Sequence, residues 1–282
     1  MGRLAILAGG GELPHIAMKE ALLQGEDPIF LGILESEFEA GEYKDRVLPV
    51  YISKIGDVLK KCKKNNVSKL LLLGKVKKDM ILRGYKFDLK ALLLLARMVN
   101  RNDTSFFHTA AGEFIKLNIE IISQKTYLSS LLLGEGRYTK KKLPHHKLED
   151  IDYGMNMASK MAELDIGQTV VVTKKMILAI EAIEGTDETI RRGGELSRKK
   201  GAIVCKSSRV GQDERFDLPT VGTQTLDSMH TSGCDTLVIR SGETLVVSPK
   251  SFIEYAEKLK ISVISMKNSP AKSINKNYIK LS

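Results

Sequence analysis

Apolar residues along the chain fall into short blocks divided by glycine, proline and charge, and the blocks alternate between two periods. Leu4–Ala8, Pro28–Ile33, Lys69–Leu73 and Ile119–Ile122 are compact apolar runs that read as buried strands. Between them His15–Gln24, Lys54–Asn65, Asp88–Asn100 and Asp103–Asn118 repeat apolar residues at helical spacing. Asn102, Asp103 and Thr104 supply a cap between the last two helices. Strand alternating with helix predicts a Rossmann-like parallel α/β domain over 1–130. From Leu131 the period is lost among Gly134, Gly136, Arg137, Lys140, Lys141, Lys142 and Pro144, so 131–149 reads as a linker.

The pattern then restarts. A helix is expected at Asp150–Asp165, strands at Thr169–Thr173 and Ile177–Ile180, and a helix from Thr186 to Lys199. Thr186 is placed to cap that helix, with Asp187 and Glu188 suiting its dipole in the first turn. Thr223 caps a helix to Gly233, and strands Thr236–Ile239 and Thr244–Val247 are joined through Ser241 and Gly242. A helix from Pro249 to Lys260 and a strand at Ile261–Ser265 complete a second α/β domain, 150–266, followed by a basic tail, 267–282.

The 282 residues are 43% hydrophobic, enough for a buried core and about two domains. Lys and Arg outnumber Asp and Glu by 44 to 34, and that +10 suits nucleic acid, an anionic membrane surface or a phosphorylated substrate. The lysines are scattered, Trp is absent and aromatics are few, so base stacking is not expected and an RNA-binding protein is only an alternative. Cys62, Cys205 and Cys234 form no C-x-x-C pair, which argues against zinc or redox chemistry and for a reducing cytoplasm. His145 and His146 are adjacent, point apart and have no third ligand nearby. No apolar stretch reaches the roughly 18 residues of a membrane-spanning helix, so a soluble or peripheral protein is expected.

Two stretches carry chemistry. Gly9, Gly10 and Gly11 follow the first strand and precede a helix with Pro14 in its first turn. Their backbone N–H groups suit phosphate oxygens, and Gly74 and Lys75, after the strand at Lys69–Leu73, are placed to line the same crevice. Pro14 stands where a dinucleotide fingerprint needs its third glycine, and Glu35 is poorly placed for a ribose. An NAD(P)-dependent oxidoreductase, or a plain turn, are the alternatives. The second stretch runs from Val210 to Gly222. In an extended chain Asp213, Arg215 and Asp217 share one face, while Glu214, Phe216 and Leu218 take the other. Two carboxylates beside a guanidinium suit Mg²⁺ and a phosphate together. Asp217 can hold the metal or orient water; Asp213 can ligate the metal or fix Arg215; Arg215 can neutralise phosphate. A solvated strand with an Asp–Arg pair is the plain alternative.

Three blocks carry a resemblance: Leu7–Pro14; Glu181–Asp187; and Gln212–Gly222, which includes Asp-Leu-Pro-Thr-Val-Gly. In order and spacing the chain resembles the UDP-2,3-diacylglucosamine pyrophosphatases of lipid A biosynthesis, the kind with a Rossmann-like N-terminal domain, over nearly its whole length to Met266. The resemblance implies two α/β domains with substrate held between them, and Mg²⁺-dependent addition of water to the pyrophosphate. The products would be UMP and 2,3-diacylglucosamine 1-phosphate, with attack at the β-phosphorus. It implies Asp217 as the residue most closely tied to catalysis; the residues themselves put Asp213 and Arg215 beside it in catalysis, with Asp213 and Asp217 expected toward the metal. Substrate-binding positions are then expected at Gly9, Gly10, Gly11, Gly74, Lys75, Thr186, Asp187, Gln212, Thr220 and Gly222. The expected partners are UDP-2,3-diacylglucosamine and the cytoplasmic surface of the inner membrane, reached through Arg137, Lys140, Lys141 and Lys142. A homodimer is left open and nucleic acid is not expected.

Overall fold

The computed structural model describes residues 2–76, 87–97, 103–209, 211–216 and 218–267. The chain divides into two compact units: Met1–Ser129 with Asp213–Asp217, and Ser130–Gln212 with Leu218–Ser282.

The first unit is a five-stranded parallel sheet of β1 (Arg3–Ala8), β2 (Ile29–Ile33), β3 (Val47–Val50), β4 (Val67–Leu73) and β5 (Glu120–Ile121), in the order β3-β2-β1-β4-β5. β1 and β2 are almost wholly apolar because helices cover both faces of such a sheet. On one face α2 (Ile55–Lys64), α3 (Leu89–Arg97) and α4 (Asp103–Ile115) bury Val58, Leu59, Cys62, Ala91, Leu94, Ala111 and Phe114 against Leu7, Leu31, Leu70 and Leu72. α1 (Leu13–Leu23) packs on β1 and on the short α5 (Lys125–Leu128). Strand β3 falls outside the expected strands. Pro49 interrupts its pattern and is tolerated because β3 is the sheet edge, where a missing N–H costs no ladder bond. Glu35 is a structural acid: its buried carboxylate accepts the N–H groups of Ile52 at 2.8 Å and Ser53 at 3.0 Å. The cap expected at Asn102 to Thr104 rests in part on residues outside those described.

The second unit is a mixed sheet in the order β6-β13-β11-β9-β7-β8. Its strands are β6 (Gly136–Arg137), β7 (Thr169–Thr173), β8 (Met176–Ile180), β9 (Ala202–Lys206), β11 (Cys234–Arg240) and β13 (Ser262–Met266). β9, β11 and β13 run parallel, while β6, β7 and β8 are antiparallel to their neighbours. A small parallel pair is made by β10 (Thr220–Val221) and β12 (Leu245–Val246). Alternate residues of the sheet serve two cores. Val170, Val172, Ile203, Cys205 and Val238 meet α6 (His145–Glu163). Val171, Val204, Leu237 and Ile239 meet α7 (Thr186–Leu196), α8 (Thr223–Ser232) and α9 (Pro249–Lys258).

Several expectations change here. Residues 131–149 contribute β6, whose partner is β13, and α6 opens at His145 rather than Asp150. The pairing is non-local, so no period along 131–149 signals it. β11 and β12 are not a hairpin, because β12 pairs with β10 in a separate sheet. The caps also move by one residue: Gly185, at φ 85°, caps α7 and Gly222 caps α8.

Candidate active site

In doubly wound sheets ligands gather beyond the carboxyl ends of the strands, where the order reverses. In the first unit that point lies between β1 and β4, and Gly9–Gly11 and Gly74–Lys75 both stand there. The two loops bond each other through their backbones. Gly9 N–H donates to Leu73 O at 2.8 Å and Gly10 N–H to Lys75 O at 2.9 Å, while Lys75 N–H donates to Gly10 O at 2.8 Å. A Cβ on Gly9 would lie 2.6 Å from Lys75 O, and one on Gly74 would lie 2.5 Å from Gly9 O. Two backbones therefore cross in contact where an open dinucleotide crevice would be. Pro14 has no N–H, and His15 N–H is spent on Glu12 O at 3.0 Å. For an anion this turn offers at most the N–H groups of Gly11, Glu12 and Leu13. Gly9 and Gly10 do not supply the phosphate-binding N–H groups expected of them, because Leu73 and Lys75 accept those bonds.

The same carboxyl edge receives a segment from far along the chain. Gln124 is 5% exposed; its N–H donates to Glu214 O at 3.0 Å, and its amide Nε2 to Leu72 O at 2.8 Å and Phe216 O at 3.2 Å. Lys125 and Ser123 hold the Glu214 carboxylate, and Phe216 is buried in the core of the first unit. The segment is a turn, closed by Phe216 N–H to Asp213 O at 3.1 Å, and not the extended strand expected. Docking on Gln124 outweighs the local alternation. Asp213 and Arg215 still meet: Nε and Nη2 of Arg215 donate to the two Asp213 oxygens at 2.8 and 2.6 Å. That pair raises the guanidinium pKa above its usual value. Nη1 is the nitrogen of Arg215 that faces away from this pairing.

In the second unit the carboxyl ends of β9 and β11 are polar and buried. Lys206, 6% exposed, donates from Nζ to Thr186 Oγ1 at 2.7 Å and to Thr169 Oγ1 at 3.4 Å. The Thr186 hydroxyl donates in turn to Glu181 at 2.9 Å. Burial pushes the Glu181 carboxyl up, but the Lys206 charge and the bonds from Thr169, Thr186 and the Gln168 N–H hold it below the usual value. On the other face of the sheet Arg240, 4% exposed, donates from Nε to Ser207 Oγ at 3.2 Å and from Nη1 to Lys267 O at 3.2 Å. Burial lowers its pKa, and Glu243 opposes that shift. Thr186 is thus the first helical residue of α7, tied to a buried cation, rather than its cap. Asp187 accepts the Ser228 hydroxyl of α8 at 3.0 Å. Gln212 accepts the Arg209 N–H at 3.0 Å, Thr220 donates to Leu218 O at 3.0 Å, and Gly222 N–H reaches Thr225 Oγ1 at 3.5 Å.

Two family models match the chain: the LpxI N-terminal domain over residues 3–131 and the LpxI C-terminal domain over residues 134–264. The chain belongs to the LpxI family. It is similar to a Caulobacter vibrioides protein named UDP-2,3-diacylglucosamine pyrophosphatase LpxI, 27% identical over 281 residues, covering 94% of this chain and 98% of that protein. For an LpxI chain the dinucleotide alternative loses its footing, since β1 and β4 close on each other where a nicotinamide cofactor would need a crevice.

Asp217 lies outside the described residues. Among those described, no three His, Cys, Asp or Glu side chains gather as a metal cage. Mg²⁺ rarely has such a cage; it sheds water reluctantly and binds through one or two carboxylates and the substrate's phosphates. Both oxygens of Asp213 accept from Arg215, so this carboxylate fixes the guanidinium. Sequence reasoning passed over Gln124, Lys206 and Arg240, and gave Glu181 no role of its own within its block. Lys206 and Arg240 had a signal: each is the one cation ending an apolar strand, and each is followed by serine. Gln124 had none.

Proposed function

We propose that this protein hydrolyses the pyrophosphate of UDP-2,3-diacylglucosamine to UMP and 2,3-diacylglucosamine 1-phosphate, a step of lipid A synthesis. The observation that carries the reading is the match to both LpxI domains over residues 3–131 and 134–264. Hydrolysis of a phosphoric anhydride needs positive charge at the phosphates and an oriented water. Arg215, fixed by Asp213, presents Nη1 to a phosphate oxygen. Asp217 takes the proton of the attacking water or orients that water. Asp217 would hold Mg²⁺, which would supply further neutralising charge at the phosphates. Water attacks the β-phosphorus, the bond from that phosphorus to the bridging oxygen breaks, and UMP leaves with the bridging oxygen.

No helix among the described residues is long and apolar enough to cross a membrane. A diacyl substrate would then be taken at the cytoplasmic surface of the inner membrane by a protein that visits it. The four cations first considered for that visit are unevenly suited: Lys141 pairs with Asp235 at 2.9 Å, and Arg137 is a half-buried residue of β6.

The test is incubation of purified protein with detergent-dispersed UDP-2,3-diacylglucosamine, with Mg²⁺ and with a chelator. UMP release that requires Mg²⁺ supports the reading; no UMP under any metal condition overturns it. In ¹⁸O-labelled water the label should appear in the lipid phosphate, and label in UMP would move the attack to the α-phosphorus.

A further inference from the structure

Helix α3 is apolar on both sides. Ala91 and Leu94 face the core of the first unit, as a sheet-covering helix requires. Leu89, Leu92 and Leu93 stand 74%, 50% and 51% exposed, and Ala96 is exposed as well. Positions 89, 92, 93 and 96 fall at i, i+3, i+4 and i+7, one continuous stripe along the helix. Ile115 at the end of the neighbouring α4, and Leu117 just beyond it, are 55% and 40% exposed. The leucines are therefore not isolated surface residues, which would need no explanation.

The rim of this stripe is cationic. Between α3 and α4, Lys90 and Lys116 share one buried acid, Glu113, at 2.8 and 2.6 Å. Lys116 and Lys90 hold that carboxyl down at about 2, so the trio keeps one net positive charge at neutral pH. On the other flank α2 packs against both α3 and α4. It exposes Lys60, Lys63 and Lys64, which make no ion pair among the described residues. Along the chain, residues 75–101 hold eight Lys or Arg against two Asp. An apolar stripe edged by lysines is the pattern of a helix lying in a lipid interface, apolar side chains among the acyl chains and ammonium groups at the headgroups.

We propose that the outer face of α3, flanked by the lysines of α2, docks the protein on an anionic lipid bilayer. The sign of the rim selects this occupant over a second copy of the chain. Two copies meeting at this face would bring like charges together in a protein that already carries +10, whereas anionic lipids complement them. The inference rests on the diacyl-lipid reading of the substrate only for its purpose; the surface itself is independent of that reading.

The test uses the full chain and vesicles without substrate. The protein is floated with neutral phosphatidylcholine vesicles and with vesicles containing about one third phosphatidylglycerol. Binding is expected to be at least about fivefold greater to the anionic vesicles and to fall as salt rises. The double variant Leu92→Glu/Leu93→Glu should lose about tenfold in vesicle binding while keeping its rate on detergent-dispersed substrate within about twofold. The triple variant Lys60→Gln/Lys63→Gln/Lys64→Gln leaves the apolar core untouched and should lose the salt-sensitive part alone. Equal binding by wild type and both variants would overturn the proposal. So would a dimer in light scattering that the leucine variant dissolves, since a second copy would then cover the face. Vesicle binding without UMP release would remove the substrate reading and leave the docking face standing.

Discussion

Gln124 and Phe216, 92 positions apart, are joined by a hydrogen bond of 3.2 Å from the glutamine amide to the phenylalanine carbonyl. The same amide reaches Leu72 O, so one buried side chain fastens the Asp213–Arg215 turn to the end of β4. Gln124→Ala would leave two carbonyls without their donor, at a cost of about 1–3 kcal/mol. We expect a lower thermal midpoint and, because Arg215 loses its support, a lower kcat for UMP release. A midpoint and kcat both equal to wild type would show that the turn holds without Gln124.

Asp217→Ala and Asp213→Ala should separate two roles. Asp217→Ala is expected to lower kcat by several orders of magnitude with KM little changed, as when charge stabilisation of a developing oxyanion is lost. Asp213→Ala frees Arg215 without removing it, so a smaller loss, within about a hundredfold, is expected. Steady-state kinetics on both variants decide; a near-normal rate for Asp217→Ala would move the catalytic acid elsewhere.

Lys206→Met removes the charge that offsets the burial of Glu181. In the wild type the folded Glu181 carboxyl titrates below its unfolded value. Its contribution to stability is therefore present above the unfolded pKa and lost as pH falls through the folded one. In the variant burial acts with less opposition and the carboxyl pKa rises. The variant should then be less stable at pH 7 and approach wild type only as pH falls through the lowered wild-type value, where Glu181 is protonated in both. Thermal unfolding across that range reads the gap directly; a gap independent of pH would mean that Lys206 does not support this carboxylate.

Gly74→Ala should act on the fold before it acts on any ligand. Gly74 sits at φ +93°, and a Cβ there would stand 2.5 Å from Gly9 O. Backbone must move, and a loss of about 3 kcal/mol or more in chemical denaturation is expected. Gly11→Ala, with positive φ but nothing within 4 Å, is expected to cost less, about 1 kcal/mol. Equal costs would mean that the β1–β4 crossing is not held tightly.

Most elements were legible in the sequence because the forces that define them are local. The apolar runs Leu4–Ala8 and Lys69–Leu73 became β1 and β4, and the restart after the basic stretch became a second α/β unit. The Asp213–Arg215 pairing was legible too, since the two residues are only two positions apart. Local pattern failed where partners are distant in sequence. The turn between β7 and β8 is Lys174–Lys175, both with positive φ and neither a usual turn residue. It is closed by the buried Asp150, 24 and 25 positions earlier, which accepts both N–H groups at 2.8 and 2.7 Å. The glycine run looks like an anion cradle until the end of β4 and Lys75 are placed beside it and take the N–H groups of Gly9 and Gly10. The stretch 213–216 alternates like a strand until Gln124 claims its carbonyls and the core of the first unit claims Phe216. A buried polar group must find a partner wherever the fold supplies one. The sequence therefore determined which segments are strand or helix and which carry charge, while tertiary structure alone decided which donor meets which acceptor.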